Sequence, residues 1–122
     1  TPNGVVLRNC PNPSDCTGQL DFGNKGITKI LSGSFSGLSN VQTLVLSDNQ
    51  LTDIPDTTFV GLNNLDSLFL DENQLEEVTE GVFSVLPNLT TLDLHGNWIR
   101  AVADEAFSHQ VQLSDLRLGA NE

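Results

Sequence analysis

The sequence predicts an α/β solenoid, a stack of 24-residue units that each hold one short β-strand and one returning segment. Two observations support this fold class. Phenylalanines recur at a constant step of 24 residues, at Phe35, Phe59, Phe83 and Phe107. Leucines keep the same step from Leu20 to Leu116, and asparagines keep it from Asn49 to Asn121. A fixed period of this size indicates stacked units that bury their apolar sides against their neighbours.

The period also divides the chain, whose 122 residues are of a size for one domain. Residues 1–16 hold both cysteines and form an N-terminal cap, and residues 17–40 form a degenerate first repeat. Residues 41–112 hold three complete repeats, 41–64, 65–88 and 89–112, and residues 113–122 form a partial last one.

The first half of each repeat predicts a β-strand. In LDSLFLDENQL, Ser67 and Phe69 alternate with Leu68 and Leu70. Period-2 alternation over a short run is typical of a half-buried strand. The asparagine that follows, Asn73 here, marks a turn, and its amide can bond backbone groups that are freed where the strand ends. Stacked asparagines would therefore form a ladder.

The second half of each repeat predicts the return of the chain. The segments IPDTTFVGLNN and VTEGVFSVLPN combine turn-forming residues with one inward phenylalanine and one inward leucine. Such composition favours loops or short helical turns on the side opposite the strands.

Two cysteines, Cys10 and Cys16, lie in CPNPSDC. A disulfide between them would close a short loop and stabilise the chain by about 2.4 kcal/mol in the chain-entropy model. Disulfides form in oxidising compartments, so this pairing favours an extracellular setting. The alternative is two unpaired thiols in a reducing cytosol, and a metal site is disfavoured because no histidine or further cysteine lies nearby.

The pattern L-x-x-L-x-L-x-x-N-x-L, with a return segment ending in F-x-x-L, resembles that of leucine-rich repeat proteins over residues 17–121. The resemblance implies a curved horseshoe with a parallel β-sheet on the concave face. The phrase EGVFSVLPNLTTLDLHGN looks like the variable lymphocyte receptors of jawless vertebrates and related extracellular proteins. Their N-terminal cap usually holds four cysteines, whereas here Phe22 stands where the last is expected and Lys25 replaces the first ladder asparagine.

The C-terminal end departs from those receptors, which close with a cysteine-rich cap. The sequence ends at Glu122, inside a repeat, and Gln110 occupies a column otherwise held by leucine. We expect Leu113, Leu116 and Leu118 to be partly exposed there. Either the sequence is a piece of a longer one, or something covers that end, and a homodimer is one option.

The outward positions of the strands predict a ligand-binding face, because adjacent repeats place equivalent residues about 4.8 Å apart. Ten residues form the candidate site: Asp21, Val45, Asp48, Phe69, Asp71, Glu72, Asp93, His95, Trp98 and Arg117. Exposed aromatic residues are common binding hot spots, which favours a role for Trp98 at the rim and for Phe69 beside Val45. The alternatives are that Trp98 packs over Gly96, that a single exposed apolar residue carries no function, and that His95 forms a simple surface pair with Asp71.

Charge restricts the partners of this face. The chain has 16 acidic and 5 basic residues, a formal charge of −11. We expect it to repel nucleic acid and anionic membranes and to attract ligands with cationic groups, although a merely solvated acidic surface is the alternative. No apolar run approaches the roughly 20 residues that span a bilayer, so we expect no direct membrane insertion by this segment. No signal peptide is visible, which predicts a cytosolic chain or an already processed one.

Catalysis finds little support in the sequence. It contains no Gly-rich phosphate loop and no motif-backed nucleophile, and an open sheet has no walls to desolvate its carboxylates. No calcium-loop spacing is present, so we expect no enzyme activity, metal or cofactor. Asn88-Leu89-Thr90 is a glycosylation triplet.

The predicted function is an extracellular recognition module that binds protein or microbial surface ligands through its concave face; its immune character is implied by the resemblance. The alternative is a structural or adhesive leucine-rich repeat protein of matrix or cell-surface receptor type. An intracellular adaptor or ubiquitin-ligase arm is a third reading, which an oxidised Cys10–Cys16 pair would disfavour.

Overall fold

The computed structural model describes residues 17–110 and 112–121. These contain seven short strands: β1 (Gly18–Asp21), β2 (Val41–Val45), β3 (Ser67–Phe69), β4 (Glu77–Val78), β5 (Thr91–Asp93), β6 (Ala101–Val102) and β7 (Asp115–Arg117). Five of them form one parallel sheet in the order β1-β2-β3-β5-β7. The predicted solenoid is therefore confirmed, whereas the predicted Cys10–Cys16 disulfide and the cap around it lie outside the described residues.

The register of this sheet follows the 24-residue step. Leu44 pairs with Leu68, Leu68 with Leu92, and Leu92 with Leu116. Because a slip by one residue would turn every side chain to the other face, this register fixes which side chains point inward. Leu44, Leu68 and Leu92 are fully buried, while Leu116, on the last described strand, is 38% exposed.

A column of phenylalanine rings fills the convex side of the core. The rings of Phe35 and Phe59 lie 6.1 Å apart, those of Phe59 and Phe83 lie 6.3 Å apart, and those of Phe83 and Phe107 lie 6.1 Å apart. All three pairs are near parallel, with interplanar angles of 18°, 15° and 9°. Stacked rings at this spacing bury large apolar area and hold successive repeats together.

Turns carry the chain across the convex side. The Leu62 N–H donates to the Phe59 carbonyl (3.3 Å), and the Leu86 N–H donates to the Phe83 carbonyl (3.0 Å). Bonds between residues three apart are those of 3₁₀ turns. The described residues contain no helix, so the predicted loops or short helical turns take the form of single turns.

A second, two-stranded parallel sheet joins β4 to β6, with Glu77 opposite Ala101 and Val78 opposite Val102. The sequence pattern predicts only loops or short helical turns in these segments. The Ala103 N–H extends this pairing by donating to the Val78 carbonyl at 2.9 Å. In repeat 41–64 the position equivalent to Ala103 is Pro55, which has no N–H to donate.

The predicted asparagine ladder is present, and each amide bonds backbone rather than another amide. Asn73 Nδ2 donates to the carbonyls of Leu46 (3.0 Å) and Leu70 (3.1 Å). Asn73 Oδ1 accepts from the Leu51 N–H at 3.1 Å. Asn49, Asn97 and Asn121 repeat this arrangement at the same 24-residue step. Each amide therefore ties its own repeat to the preceding one.

A second set of amides bridges the repeats at the surface, just before the strands begin. Asn64 Nδ2 donates to the Ser39 carbonyl (2.8 Å), and Asn88 Nδ2 donates to the Asn63 carbonyl (3.0 Å). Both side chains are exposed, so water can replace either bond.

Gln110 lies buried in the column that leucine holds in earlier repeats. Its Nε2 donates to the carbonyls of Phe83 (2.6 Å) and Leu86 (3.0 Å), but its Oε1 is buried without a hydrogen-bond partner in the described part of the chain. A buried acceptor without a donor costs about 1–3 kcal/mol.

We expect Gln110→Leu to raise the free energy of unfolding by about 1 kcal/mol, because it removes this orphaned oxygen and restores the column. The two carbonyls keep backbone donors, the N–H groups of Leu86 and Leu89. Urea denaturation of the variant beside the wild type measures the difference. A lower midpoint for the variant would mean that the two amide bonds outweigh the orphaned oxygen.

Candidate ligand-binding face

The outward rows of the concave sheet have the predicted register. Gln19, Thr43, Ser67, Thr91 and Asp115 stand opposite one another across successive strands, as do Asp21, Val45, Phe69, Asp93 and Arg117. Val45 and Phe69 are half-buried, so part of each apolar side chain stays open to solvent in the middle of the face.

A left-handed residue follows each strand of the five-stranded sheet. Asn24, Asp48, Glu72, Gly96 and Ala120, one per repeat, have φ of 54°, 58°, 57°, 70° and 55°. Their N–H groups continue the parallel pairing: that of Asp48 donates to the Asp71 carbonyl (3.0 Å), and that of Glu72 donates to the His95 carbonyl (2.8 Å). This turn leaves the side chains of Asp48 and Glu72 exposed at the C-terminal edge of the sheet, the edge where its strands end.

Gly96 allows Glu72 to turn toward His95. A Cβ at Gly96 would lie 2.5 Å from Glu72 Oε1, so the carboxylate occupies the space that a side chain would take. Glu72 Oε1 lies 3.7 Å from His95 Nε2. The expected pairing of His95 with Asp71 is wrong, because Asp71 Oδ1 instead accepts a hydrogen bond from Ser47 Oγ at 2.6 Å.

Asp93 is not displayed as predicted. It is 8% exposed, and its Oδ1 accepts from the His95 N–H at 3.0 Å. Its Oδ2 lies 3.9 Å from Arg117 Nη1. Asp93 therefore supports the end of its own strand and offers little surface to a ligand.

Arg117, the one basic residue of the predicted face, is engaged by neighbouring carboxylates. Its Nε and Nη2 donate to Asp115 at 3.2 and 3.1 Å. The hydrogen bond and charge of Asp115, followed by the charge of Asp93, raise the pKa of the Arg117 guanidinium above its ordinary value. The one positive charge at the C-terminal end of the face is thus shared between two carboxylates, Asp93 and Asp115.

The remaining carboxylates differ in how far they are engaged. Asp21 Oδ1 accepts from the Gly23 N–H at 2.9 Å, which holds the turn after β1. In the described part of the chain, Asp48 makes no side-chain hydrogen bond or ion pair. Asp48 is therefore the least engaged acidic group at the C-terminal edge, and Glu72, although it lies 3.7 Å from His95 Nε2, is exposed beside it.

Trp98 is 54% exposed, and the Trp98 N–H donates to the Leu75 carbonyl at 2.9 Å. The backbone is thereby fixed while the indole remains largely open. Its predicted display at the rim is confirmed, whereas its role in binding stays a prediction. Gln50 and Gln74 hold the equivalent positions in the two preceding repeats.

Two concavities lie outside the outward rows of the concave sheet. A groove of about 470 Å³ runs beside β4, lined by Asp53, Asp56, Glu76 and Glu77 among others. A smaller hollow of about 280 Å³ lies between β6 and Leu118. Across residues 17–110 and 112–121, no group of three or more His, Cys, Asp or Glu residues could hold a metal ion. The same residues include no helix long and apolar enough to cross a membrane.

The chain belongs to the leucine-rich repeat family, whose model matches residues 19–75 and 64–122. No curated protein matches the sequence closely enough to count as a relative.

Solved leucine-rich repeat structures share the fold. The matching chain of the TLR13–ssRNA13 complex is 28% identical in sequence, with a TM-score of 0.78. The match covers 85% of this chain and 14% of that one. The APL1 leucine-rich repeat domain is 27% identical with a TM-score of 0.81, over 85% of this chain and 28% of that one. The Toll–Spatzle complex, a hub in Drosophila development and innate immunity, is 34% identical with a TM-score of 0.67, over 79% of this chain and 14% of that one. The chain thus spans a seventh to about a quarter of their lengths.

Proposed function

We propose that this chain is the ligand-recognition part of an extracellular, immune-type leucine-rich repeat protein, and that it binds a protein or microbial surface ligand on its concave face. The observation that carries the proposal is the lattice of outward side chains in register, with Val45 and Phe69 at its centre and Trp98 at its rim. Leucine-rich repeat domains are generally non-enzymatic interaction modules, and an open sheet is suited to binding an extended surface.

The comparisons support a protein ligand and an immune setting. Spatzle accompanies Toll, and LRIM1 accompanies APL1C, in structures similar to this chain. The comparison with a TLR13 complex that contains single-stranded RNA gives no support to the predicted exclusion of nucleic acid. That exclusion rests on the formal charge of −11, which repels phosphate. Secretion and a closer relationship to variable lymphocyte receptors likewise belong to the proposal.

Truncation of the two aromatic residues should weaken binding without unfolding the solenoid. We expect Phe69→Ala and Trp98→Ala each to cost about 1–2 kcal/mol of binding free energy, because exposed aromatic anchors contribute much of the energy of an interface. The probes are panels of immobilised microbial surface components and of matrix proteins, with captured partners titrated against each variant. Circular dichroism verifies that each variant is folded.

The control is Glu77→Ala, because Glu77 is an exposed residue on β4, outside the concave sheet. Normal binding by both aromatic variants together with lost binding by Glu77→Ala would place the site on the second sheet. Capture of matrix proteins alone would favour the adhesive alternative over immune recognition.

The salt dependence of the association rate should show whether the carboxylates of Asp48 and Glu72, at the C-terminal edge of the sheet, attract the ligand. For a cationic partner, Asp48→Asn with Glu72→Gln should slow association and flatten its dependence on salt, because exposed carboxylates steer encounter and are screened beyond about 8 Å at physiological ionic strength. Association rates at several salt concentrations measure the effect for the partner that the panels identify.

Asp53→Asn with Glu77→Gln removes the same charge from the groove beside β4 and serves as the matched control. Equal salt slopes for the two double variants would show that only net charge matters and that the edge does not steer the ligand.

A further inference from the structure

Beyond ligand recognition, we propose that Asn88 carries an N-linked glycan, which stands at the N-terminal edge of the five-stranded sheet, where its strands begin. Asn88-Leu89-Thr90 is the one N-x-Ser/Thr triplet in the sequence whose middle residue is not proline. The other match, Asn12-Pro13-Ser14, is blocked by its proline. The proposal rests on the secretion that is part of the proposed function, and it is independent of which ligand the concave face binds.

The reaction transfers an oligosaccharide from a lipid-linked diphosphate donor of the secretory pathway. The bond between the first sugar carbon and the diphosphate oxygen breaks, a bond from that carbon to Asn88 Nδ2 forms, and Nδ2 loses one proton. The lipid diphosphate leaves, and no electrons are exchanged with any oxidant or reductant.

The position of Asn88 accommodates this group. The residue is exposed, and its Nδ2 donates one hydrogen bond, to the Asn63 carbonyl at 3.0 Å. An amide nitrogen carries two hydrogens, so a glycan can replace one while the other keeps this bond. Thr90 Oγ1 donates to the Asp66 carbonyl at 3.0 Å in the folded chain. Because the triplet's hydroxyl is engaged after folding, transfer takes place before this contact closes.

The glycan and the proposed ligand contacts lie at opposite edges of the sheet. Asn88 precedes β5 and Trp98 follows it, and β5 runs parallel to its neighbours. A glycan on Asn88 therefore covers the N-terminal edge and leaves the C-terminal edge, with Asp48, Glu72 and Trp98, open to a partner.

The test is secretion of the chain, behind a signal peptide, from cultured animal cells, followed by peptide mass mapping before and after treatment with peptide N-glycosidase. We expect one glycan, whose enzymatic removal leaves aspartate at position 88, and no glycan in Asn88→Gln or Thr90→Ala. Thr90→Ser should keep it. Secreted wild type with an unmodified Asn88 would overturn the proposal.

The matched control is Asp66→Thr, which completes the triplet on Asn64 one repeat earlier. Asn64 is also exposed and makes the same type of bond, to the Ser39 carbonyl at 2.8 Å. We expect this variant to carry two glycans. A glycan on Asn64 beside a bare Asn88 would show that the edge accepts sugars and that Asn88 specifically is not used.

Tryptophan fluorescence tests the placement, since Trp98 is the single tryptophan in the chain. Acrylamide quenching should be the same before and after the glycan is removed, because the sugar stands at the opposite edge. An increase in the quenching constant after removal would show that the glycan shields Trp98, and the proposed placement would then be wrong.

Discussion

Truncation of Phe83 to alanine should lower the free energy of unfolding by about 3–5 kcal/mol, the range for deleting a buried phenylalanine ring. Phe83 is 1% exposed, and its ring stacks on both Phe59 and Phe107 at 6.3 and 6.1 Å. The loss therefore combines the transfer free energy of the ring with a cavity between two repeats. Because each repeat contacts only its neighbours, stability depends strongly on such interfaces.

Urea denaturation followed by circular dichroism measures this loss. Val60→Ala is the control, since Val60 lies next to the ring column in sequence yet is 46% exposed; we expect it to change stability by less than about 0.5 kcal/mol. If Phe83→Ala is folded and loses no more than Val60→Ala, the phenylalanine column does not hold the repeats together.

Replacement of Asn73 by alanine should destabilise the solenoid by about 1–3 kcal/mol, because it leaves the buried N–H of Leu51 without its acceptor. The amide accepts from the Leu51 N–H and donates to the carbonyls of Leu46 and Leu70, all at buried positions. Each of these carbonyls also accepts from a neighbouring ladder amide, Asn49 or Asn97, so the variant removes one of its two amide donors. Water cannot replace these bonds without opening the turn. Thermal and urea denaturation of the variant measure the effect.

Asn64→Ala is the matched control, since Asn64 also bridges two repeats through its amide but does so at the surface. We expect a change of less than about 0.5 kcal/mol there, because solvent satisfies the Ser39 carbonyl when the amide is lost. An unchanged melting temperature in Asn73→Ala would contradict the buried ladder. Equal losses in both variants would mean that burial does not distinguish the two sets of amides.

Much of the fold could be predicted from the sequence. The 24-residue step specifies the strand positions, the parallel register, the phenylalanine column and the asparagine ladder. The same step identifies which residues point outward, including Val45, Phe69 and Trp98. The physical basis is that identical short patterns adopt identical backbone conformations, and stacking then brings equivalent positions together.

The small sheet of β4 and β6 could not be predicted in this way. Its segments, Glu77–Val78 and Ala101–Val102, are each only two residues long, which is too short to show an alternating pattern. Pairing there depends on the distance between neighbouring returns and on available N–H donors, and Pro55 lacks the donor that Ala103 provides. The missing donor at Pro55 can be read from the sequence, but the distance between returns exists only once the repeats are stacked.

The electrostatic detail of the face was also decided by tertiary structure. Register predicts that Asp71 and Asp93 point outward, but it does not specify the hydrogen bonds that their side chains form. Ser47 from the preceding repeat engages Asp71, while Asp93 turns to the His95 N–H and becomes buried.

The sequence by itself thus determined the solenoid, its register and the identity of the displayed rows, because these follow from backbone periodicity. Tertiary structure decided which displayed groups remain free. Gly96 leaves room for Glu72 to approach His95, and Asp115 engages Arg117. Side-chain partners are chosen by rotamers and by distances between strands, which a linear pattern does not encode. For that reason Asp48 remains without a side-chain partner among the described residues, whereas four of the ten predicted residues, Asp71, Glu72, Asp93 and Arg117, are engaged by neighbours.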